Sequence, residues 1–394
     1  MKFGVKILVL VLVGTVGSVL TQEPNGGPPH PDSFGAPDFS FGDGDFTINY
    51  FKALYSPEIN TAVSPIALRL PMAVFYEAAG SSLDHVVQKS FYLPDSKLET
   101  TNNAIKFVQE IHENKYLTMS YKLLKDKRPF SEHFNSSVAK VLGLVPEEVS
   151  FSRSSPIVKS VNAWASFISK GKIADFFLDQ LPSNVTEMFL GNTVTLEARW
   201  AEMFPLANTD QRKFNYRTGP RDTAMMRESI EVLHSSVENY QAIQIPFSED
   251  SDLAMWILLP GEGKTIRNLV ENLSSEMLYE IETTAMPKLV DITLPRFEIQ
   301  SLHRMEDVLT RMGHGELFEL QDFEIFQGRK SMLPDLRQHS YLKINEDGTG
   351  VPDSMASTIY RRSDNIAFNA DEPFVFIIKK ITSDVIVFIG HYSN

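Results

Sequence analysis

One run of eight residues in the second half of the chain, LAMWILLP at Leu253–Pro260, contains no polar side chain except the indole of its Trp. A strand of this kind must be buried on both faces, because either face would otherwise expose large apolar side chains to water. Further strand-like runs lie at residues 190–200, 240–247, 288–299, 373–380 and 384–392, and helical spacing is found at 86–91, 102–116 and 154–171. The order, helices first and strands later, predicts a mixed α+β domain with sizeable sheets.

The first residues have the pattern of a secretory signal peptide. Lys2 and Lys6 form the charged start of this pattern. The apolar stretch ILVLVLVGTVGSVL follows them, and small residues lie near its end. The stretch is too short to span a bilayer comfortably, so we predict removal of residues 1–21 and secretion to the extracellular space; a retained anchor is the alternative. Residues 22–45 are rich in Gly, Pro and Asp, which predicts a disordered extension before a domain at 46–394.

Composition argues against several classes of function. The formal net charge of -13 disfavours nucleic acid as a partner, because the phosphate backbone is also negative. The chain has no cysteine, which removes thiol catalysis and cysteine-held zinc or iron–sulfur centres. Three sequons, at Asn135, Asn184 and Asn272, are candidate glycosylation sites and predict surface positions in a secreted protein.

A search for catalytic motifs gives no candidate. The sequence lacks G-x-S-x-G and H-E-x-x-H, and its nine histidines are scattered without metal-ligand spacing. We therefore predict a protein that is not an enzyme and has no metal or other cofactor. Spacing alone leaves open an active site assembled from distant residues.

Several blocks, in a fixed order along the chain, resemble the serpin family of serine protease inhibitors. They include NTAVSPIALRLPMAVFYEAAG, VNAWASFISKGKIADFF, LGNTVTLEARWAEMF and ADEPFVFIIKKITSDVIVFIGHY, and the similarity covers about residues 45–394. The third block carries an Asn and a Trp eight residues apart, Asn192 and Trp200, as family members do. The resemblance implies one domain with three β-sheets, about eight or nine helices and an exposed reactive-centre loop.

Inhibitory members of that family act as suicide substrates. The protease attacks the exposed loop and forms an acyl-enzyme, and the loop then inserts as a new strand in the middle of the largest sheet. The protease is carried across the molecule and its active site is distorted. The folded inhibitor is therefore held short of its most stable state.

The segment EDGTGVPDSMASTIYRRSDN, residues 346–365, resembles the reactive loop of the family. The Glu and Gly-Thr that begin the family loop correspond to Glu346, Gly348 and Thr349. In the family the attacked residue lies sixteen positions after the Glu, which is Arg362 in this chain.

A second anchor gives the same position for the cleaved bond. Pro373 belongs to the block that resembles the strand after the family loop, and counting back eleven residues from it again gives Arg362–Ser363. An exposed arginine can enter the carboxylate-floored pocket of a trypsin-like protease and make a bidentate contact. Arg361 is an alternative cleavage position one residue earlier.

The hinge that follows Thr349 departs from inhibitory members of the family. Those members carry small residues, mostly Ala, where this chain has Gly350, Val351, Pro352 and Asp353. Pro352 lacks the N–H that a central strand needs. Asp353 shares a strand face with Thr349 and Val351, a face that turns to the core in the family pattern, so its burial would be costly. Slow insertion would let the protease complete hydrolysis, which would make the chain a substrate.

The resemblance also implies a set of positions that help the main sheet to open, and some of them differ in this chain from the family pattern. Four residues form this predicted sheet-opening region: Ser64, Asn192, Trp200 and Gln338. The family usually has a second Ser at the position of Ala67 and a His at the position of Gln338, which here has His339 beside it. Pro71 falls inside the predicted second helix, where it would remove a hydrogen bond and kink the helix.

Two interpretations stay open. The first is a secreted, monomeric serpin that inhibits trypsin-like serine proteases through cleavage at Arg362–Ser363. The second is a non-inhibitory serpin, either a binding or carrier protein or a cleavable substrate, because Pro352 and Asp353 disfavour insertion. In both interpretations nucleic acid is not a partner. A membrane is not a partner either, once the signal peptide has been removed. Heparin activation is disfavoured, since residues 100–112 carry Lys106 but no basic stripe.

Overall fold

Helices predominate in the first part of the chain and strands in the second, as the apolar patterns predict. The computed structural model describes residues 44–152, 154–177, 186–237, 239–319, 322–349 and 365–394. Nine α-helices lie in these ranges: α1 Gly44–Leu54, α2 Pro65–Ala78, α3 Asp84–Ser90, α4 Lys97–Glu113, α5 Glu132–Ser137, α6 Ser154–Ile168, α7 Ile266–Asn272, α8 Ser275–Thr284 and α9 Met305–Arg311. Helix α1 begins two residues before the predicted start of the domain, within the segment predicted to be disordered.

Each predicted β-rich run overlaps one strand or two, and several further strands were not predicted from their patterns. The strands are β1 Thr61–Val63, β2 Leu117–Lys125, β3 Glu147–Glu148, β4 Met188–Leu196, β5 Asp210–Tyr216, β6 Gly219–Val237, β7 Tyr240–Pro246, β8 Leu253–Pro260, β9 Met286–Pro295, β10 Phe297–Arg304, β11 Phe323–Phe326, β12 Arg329–Ser331, β13 Asp335–Ile344, β14 Ile366–Asn369, β15 Phe374–Lys380 and β16 Val385–Tyr392. Strand β8 is the apolar run described first, and each of its residues is buried between β7 and β15, which confirms that prediction.

Three sheets organise the described part of the chain. A nine-stranded sheet has the order β1-β16-β15-β8-β7-β6-β9-β14, with β5 paired to β6. A five-stranded sheet has the order β10-β13-β4-β2-β3, and β11 and β12 form a two-stranded sheet. With the nine helices, these sheets confirm the predicted α+β class.

The five-stranded sheet has apolar layers on both faces. On one face, Phe189 of β4 and Tyr341 of β13 pack with Val161 of α6 and with Phe176, in a small cluster that excludes water. On the other face, Val194 and Leu190 of β4 belong to the main core. A central strand of this sheet therefore has its alternate side chains in two different apolar layers.

Local sequence sets the ends of the helices around these sheets. The Ser96 side chain accepts a hydrogen bond from the Glu99 N–H at 3.2 Å and begins α4, and Thr265 forms a reciprocal capping box at the start of α7. Helix α6 ends just before Gly171, whose φ of 81° places it in the left-handed region, close to the predicted end. No helix within the described ranges has the length and apolar character needed to cross a membrane.

Candidate functional site

Two central strands of the five-stranded sheet, β4 and β13, pair in parallel. Their register runs over seven residue pairs, from Asp335 opposite Phe189 to Tyr341 opposite Thr195. We call this pair the seam. The chain leaves β13 at Ile344 and leads directly to the segment that resembles a reactive loop. A strand that turned back from β13 into the seam would be antiparallel to both neighbours. The seam lies in the five-stranded sheet, and insertion of the loop into a sheet stays a prediction.

A cluster of buried polar groups joins the two strands of the seam to the start of α2. Gln338 of β13 accepts a hydrogen bond from the Ser64 N–H at 3.0 Å, and its amide donates to the Ser64 carbonyl at 2.8 Å. The same amide donates to Asn192 Oδ1 of β4 at 3.3 Å. Asn192 in turn donates to the Ser120 carbonyl of β2 at 3.1 Å. One glutamine side chain therefore links α2, β4 and β13 across the seam.

The proline inside α2 frees a backbone acceptor, and a neighbouring strand supplies a donor for it. Pro71 has no N–H, so the carbonyl of Ala67, four residues earlier, loses its helical partner. The Tyr121 hydroxyl of β2 donates to that carbonyl at 2.9 Å. Burial raises the pKa of Tyr121 well above its usual value, so the hydroxyl stays protonated and able to donate.

The start of the hinge is bound to the end of β4. Gly348 forms an antiparallel bridge with Arg199, and the Thr349 N–H donates to the Ala198 carbonyl at 2.8 Å. The Trp200 N–H donates to the Asp347 carbonyl at 2.8 Å. Gly348 has a φ of 128°, and a Cβ there would lie 2.3 Å from the Ala198 carbonyl oxygen, so a side chain would prevent this approach.

Glu346 is one of two adjacent buried acidic residues in this docked segment, beside Asp347. Its side chain is only 4% exposed and lies against Arg296, whose Nε donates to Glu346 Oε1 at 2.7 Å. The Thr209 hydroxyl donates to the same oxygen. Oε2 has no hydrogen-bond partner among the described residues. Sequence reasoning missed Arg296 and Thr209, because both lie far from the loop along the chain and belong to no motif.

Trp200 lies apart from the other predicted sheet-opening residues. Its indole N–H donates to the Asn345 carbonyl at 2.9 Å, and its ring stacks on Phe247 with a centroid distance of 4.4 Å. Ser64, Asn192 and Gln338 are brought together at the middle of the seam, whereas Trp200 supports the turn into the loop. The four predicted residues therefore lie at two separate places, one inside the seam and one beyond the end of β4.

One histidine of the five-stranded sheet is also buried. His339 of β13 is 1% exposed, and its ring lies edge-on to Phe176 at a centroid distance of 5.7 Å. Its Nδ1 has no hydrogen-bond partner within the described part of the chain. Burial lowers the pKa of His339 to about 4, so the imidazole is neutral at pH 7.

Comparison with known protein families identifies the family of this chain. The family profile "Serpin (serine protease inhibitor)" matches residues 42–394. The chain belongs to the serpin family. Serpins are generally inhibitors of serine proteases and not enzymes, and some members are non-inhibitory.

Individual relatives of this serpin are distant in sequence. An uncharacterized serpin-like protein of Thermococcus kodakarensis is 25% identical over 366 residues, which is 89% of this chain and 84% of the relative. The structure of SRPN18 from Anopheles gambiae is similar with a TM-score of 0.80 at 24% identity, covering 89% of this chain and 96% of that one. Human thyroxine-binding globulin in complex with its ligand has a TM-score of 0.80 at 19% identity, with coverages of 89% and 96%.

Several predicted positions of this serpin lie outside the described residues. They are the reactive bond and its alternative, the later hinge residues and one sequon: Arg361, Arg362, Ser363, Gly350, Val351, Pro352, Asp353 and Asn184. Of the other two sequons, Asn135 is exposed on α5 and Asn272 is exposed at the end of α7. Both exposed positions are compatible with glycosylation.

Proposed function

We propose that this chain is a secreted serpin that inhibits a trypsin-like serine protease as a suicide substrate. The protease would attack Arg362–Ser363, and the freed loop would enter the seam between β4 and β13. The protein would act stoichiometrically and would have no catalytic activity or cofactor of its own.

The docked hinge is the observation that carries this proposal. Gly348 and Thr349 are already paired in antiparallel register with Arg199 and Ala198, at the end of β4. These pairings are the first contacts of a strand that would continue along β4 into the seam. The loop therefore has a place to begin insertion, and the parallel seam ahead of it accepts an antiparallel strand on both sides.

The position of Arg362 supports the choice of protease. Two family spacings, from Glu346 and from Pro373, place the attacked bond after this arginine. A guanidinium group is the partner that a carboxylate at the floor of a specificity pocket selects. Arg361 offers a second bond that the same class of protease can cleave.

A non-inhibitory serpin is the second candidate, and the hinge register favours it. Continuing the pairing of Gly348 with Arg199 along β4 would place Pro352 opposite Thr195 and Asp353 opposite Val194. Val194 is fully buried in the main core, so a carboxylate beside it would be desolvated. Insertion would then be slow, and the chain would be cleaved without trapping the protease. A fold neighbour, thyroxine-binding globulin, was solved in complex with a small-molecule ligand, and ligand binding is what the binding or carrier interpretation predicts for this chain.

Mixing the purified chain with trypsin distinguishes the two candidates. An inhibitor should give a covalent complex that resists SDS and contains one protease per chain. Cleavage after Arg361 or Arg362 without such a complex would contradict inhibition and favour the substrate interpretation. Trypsin inactivated at its catalytic serine is the control, because it can bind the loop but cannot form an acyl-enzyme.

Secretion, glycosylation and oligomeric state form a separate part of the proposal. We infer that residues 1–21 direct export, that glycans are attached at one or more of the three sequons, and that the protein is a monomer that does not require heparin. Expression in a eukaryotic cell line tests this: the chain should appear in the medium, and an N-glycosidase should reduce its apparent mass. Retention in the cell would contradict the export proposal.

A further inference from the structure

We propose that a polar cavity on the nine-stranded sheet is a binding site for a free α-amino acid in its zwitterionic form. The ligand carboxylate would lie against Arg227 and Thr293, and the ligand ammonium group against Asp291. This inference goes beyond the proposed inhibition and does not depend on it, because it involves neither the protease nor any movement of the loop.

The cavity lies over three adjacent strands, β6, β9 and β14. Its volume is about 280 Å³, which is space for several waters or for one small organic molecule. Residues paired directly across neighbouring strands point to the same face of a sheet. Six residues that line the cavity form two such rows across the sheet: Arg227, Thr293 and Asn369 in the first row, and Ser229, Asp291 and Ala367 in the second.

The first row presents donors that can bind a carboxylate. Thr293 is only 8% exposed, and its hydroxyl makes no hydrogen bond to another described residue. The Arg227 guanidinium donates to Asp210 at 3.2 Å, and the Arg212 guanidinium donates to the same carboxylate at 2.7 Å. Two guanidinium groups therefore share one carboxylate, which leaves a net positive charge at this end of the cavity. A carboxylate of the ligand would be stabilised there by the charge and by the Thr293 hydroxyl.

The second row presents a carboxylate without a cationic partner. Asp291 accepts hydrogen bonds through Oδ1 from the Ser229 hydroxyl and, at 2.8 Å, from the Asn365 amide, and within the described ranges it forms no ion pair. Glu228 also lines the cavity without an ion pair to a described residue, and its oxygens accept from Asn208 and from the Ser229 N–H. An ammonium group would supply the missing positive charge at this end.

The distance between the two rows suits an α-amino acid. Thr293 and Asp291 are two residues apart on β9, so the rows are about 6.7 Å apart. A ligand that makes charge-assisted hydrogen bonds of about 2.8 Å to both rows must carry its positive and negative groups close together. An α-amino acid does so, because its amino and carboxylate groups share one carbon. Ala367 ends the second row with a methyl group, which leaves room for the ligand's own side chain.

Calorimetric titration of the full, uncleaved chain tests the site, with L-alanine as the probe. We expect one L-alanine to bind per chain. Three analogues test the two charges and their spacing: L-alaninamide lacks the carboxylate, N-acetyl-L-alanine lacks the ammonium group, and γ-aminobutyrate separates the two groups. Each analogue should bind at least about tenfold more weakly than L-alanine. Equal binding of L-alanine and either single-charge analogue would overturn the proposal, and so would no binding of L-alanine up to about 10 mM.

Variants place the bound amino acid in this cavity. Thr293→Val removes only the hydroxyl and Asp291→Asn removes only the charge, so each should weaken L-alanine binding by at least about fivefold. The matched controls are Thr283→Val, at an exposed position of α8, and Asp222→Asn, at an exposed position of β6. If the cavity variants bind L-alanine as tightly as these controls, the amino acid binds elsewhere and this site is rejected.

Two features keep the result interpretable. Thermal unfolding checks that each variant is folded, and the analogues test the proposal in the unmodified chain even if a variant is not. The titration contains no protease, whereas inhibition is judged by the covalent complex in the gel assay. Loss of one result therefore leaves the other unaffected.

Discussion

Gln338 and Asn192 lie opposite each other across the parallel seam, and the glutamine amide donates to the asparagine carbonyl oxygen at 3.3 Å. The same glutamine makes two further hydrogen bonds, to the backbone N–H and carbonyl of Ser64. The bond to Asn192 joins the two strands that the proposed mechanism must separate, and the bonds to Ser64 hold the same glutamine against the start of α2. The closed state is therefore stabilised by one polar side chain at the point of opening.

Replacing that side chain should weaken the closed state. Gln338→Leu keeps a similar volume but leaves the Ser64 N–H and Asn192 Oδ1 without their partner. We expect a loss of about 2 kcal/mol or more in the free energy of unfolding, measured by guanidinium denaturation of the uncleaved chain. Gln300→Leu is the control, since Gln300 is exposed on β10 and its loss should change stability by less than about 1 kcal/mol.

Removing the Glu346 carboxylate should weaken the attachment of the docked hinge. Glu346→Ala leaves Arg296 and Thr209 without their shared acceptor, and we expect a loss of about 1–3 kcal/mol in the free energy of unfolding. Because Arg296 is 38% exposed, the effect should be smaller than for a fully buried ion pair. Glu298→Ala removes a half-exposed pair with Lys343 and should have little effect. Equal losses in the two variants would contradict a special role for Glu346.

The reactive bond can be located by substituting each arginine separately. Arg362→Ala should abolish the covalent complex with trypsin, because the specificity pocket loses its charged ligand. Arg361→Ala should preserve it, and the released C-terminal fragment should begin at Ser363. Sequencing of that fragment checks the position. A complex retained by Arg362→Ala and lost by Arg361→Ala would move the bond by one residue.

The atypical hinge should limit the yield of trapped protease. The double variant Pro352→Ala, Asp353→Ala restores a strand N–H and removes a carboxylate from the core-facing side of the inserted strand. We expect the fraction of protease found in covalent complex to increase, with a matching fall in the cleaved, uncomplexed product. No increase would indicate that the polar cluster around Gln338 is the obstacle instead.

Stability should fall on mild acidification because of buried histidines. Burial lowers the pKa of His303, His339 and His391 to about 4, from an ordinary value near 6.5. The unfolded chain therefore binds more protons between these values, so the stability present above pH 6.5 is lost as the pH falls toward 4. Each histidine contributes about 3 kcal/mol to this loss at most. Chemical denaturation at a series of pH values measures it.

A variant of one histidine checks that assignment. His339→Leu removes a buried imidazole and should flatten the dependence of unfolding free energy on pH between 6.5 and 4. Thr193→Val is a matched control, because Thr193 lies opposite His339 in the seam and does not titrate in this range. If both variants keep the slope of the unmodified chain, His339 does not contribute to it.

Local patterns were enough to predict the fold class and several of its elements. The run Leu253–Pro260 is buried throughout because an apolar strand has no face that tolerates water. Pro71 lies inside α2 as expected, and α6 ends near Gly171. These features depend on residues within one element, where periodicity and turn chemistry act directly.

Contacts between residues that are far apart in the sequence could not be predicted in the same way. Glu346 and its contact Arg296 are fifty residues apart, and Gln338 and Asn192 are 146 apart. Each pairing depends on the register of whole strands, and a shift of one residue would turn every side chain to the other face. The donor for the Ala67 carbonyl, Tyr121, is likewise set by how β2 lies over α2.

The order of helices and strands followed from residue patterns along the chain. The family resemblance followed from motifs and their spacing, and the prediction that Arg362–Ser363 is the reactive bond follows from that resemblance. The docking of the hinge against Ala198 and Arg199 and the hydrogen bond of Gln338 across the seam became visible only in the tertiary structure. Those features arise from packing between distant segments, whose geometry is set only when the sheets and helices come together.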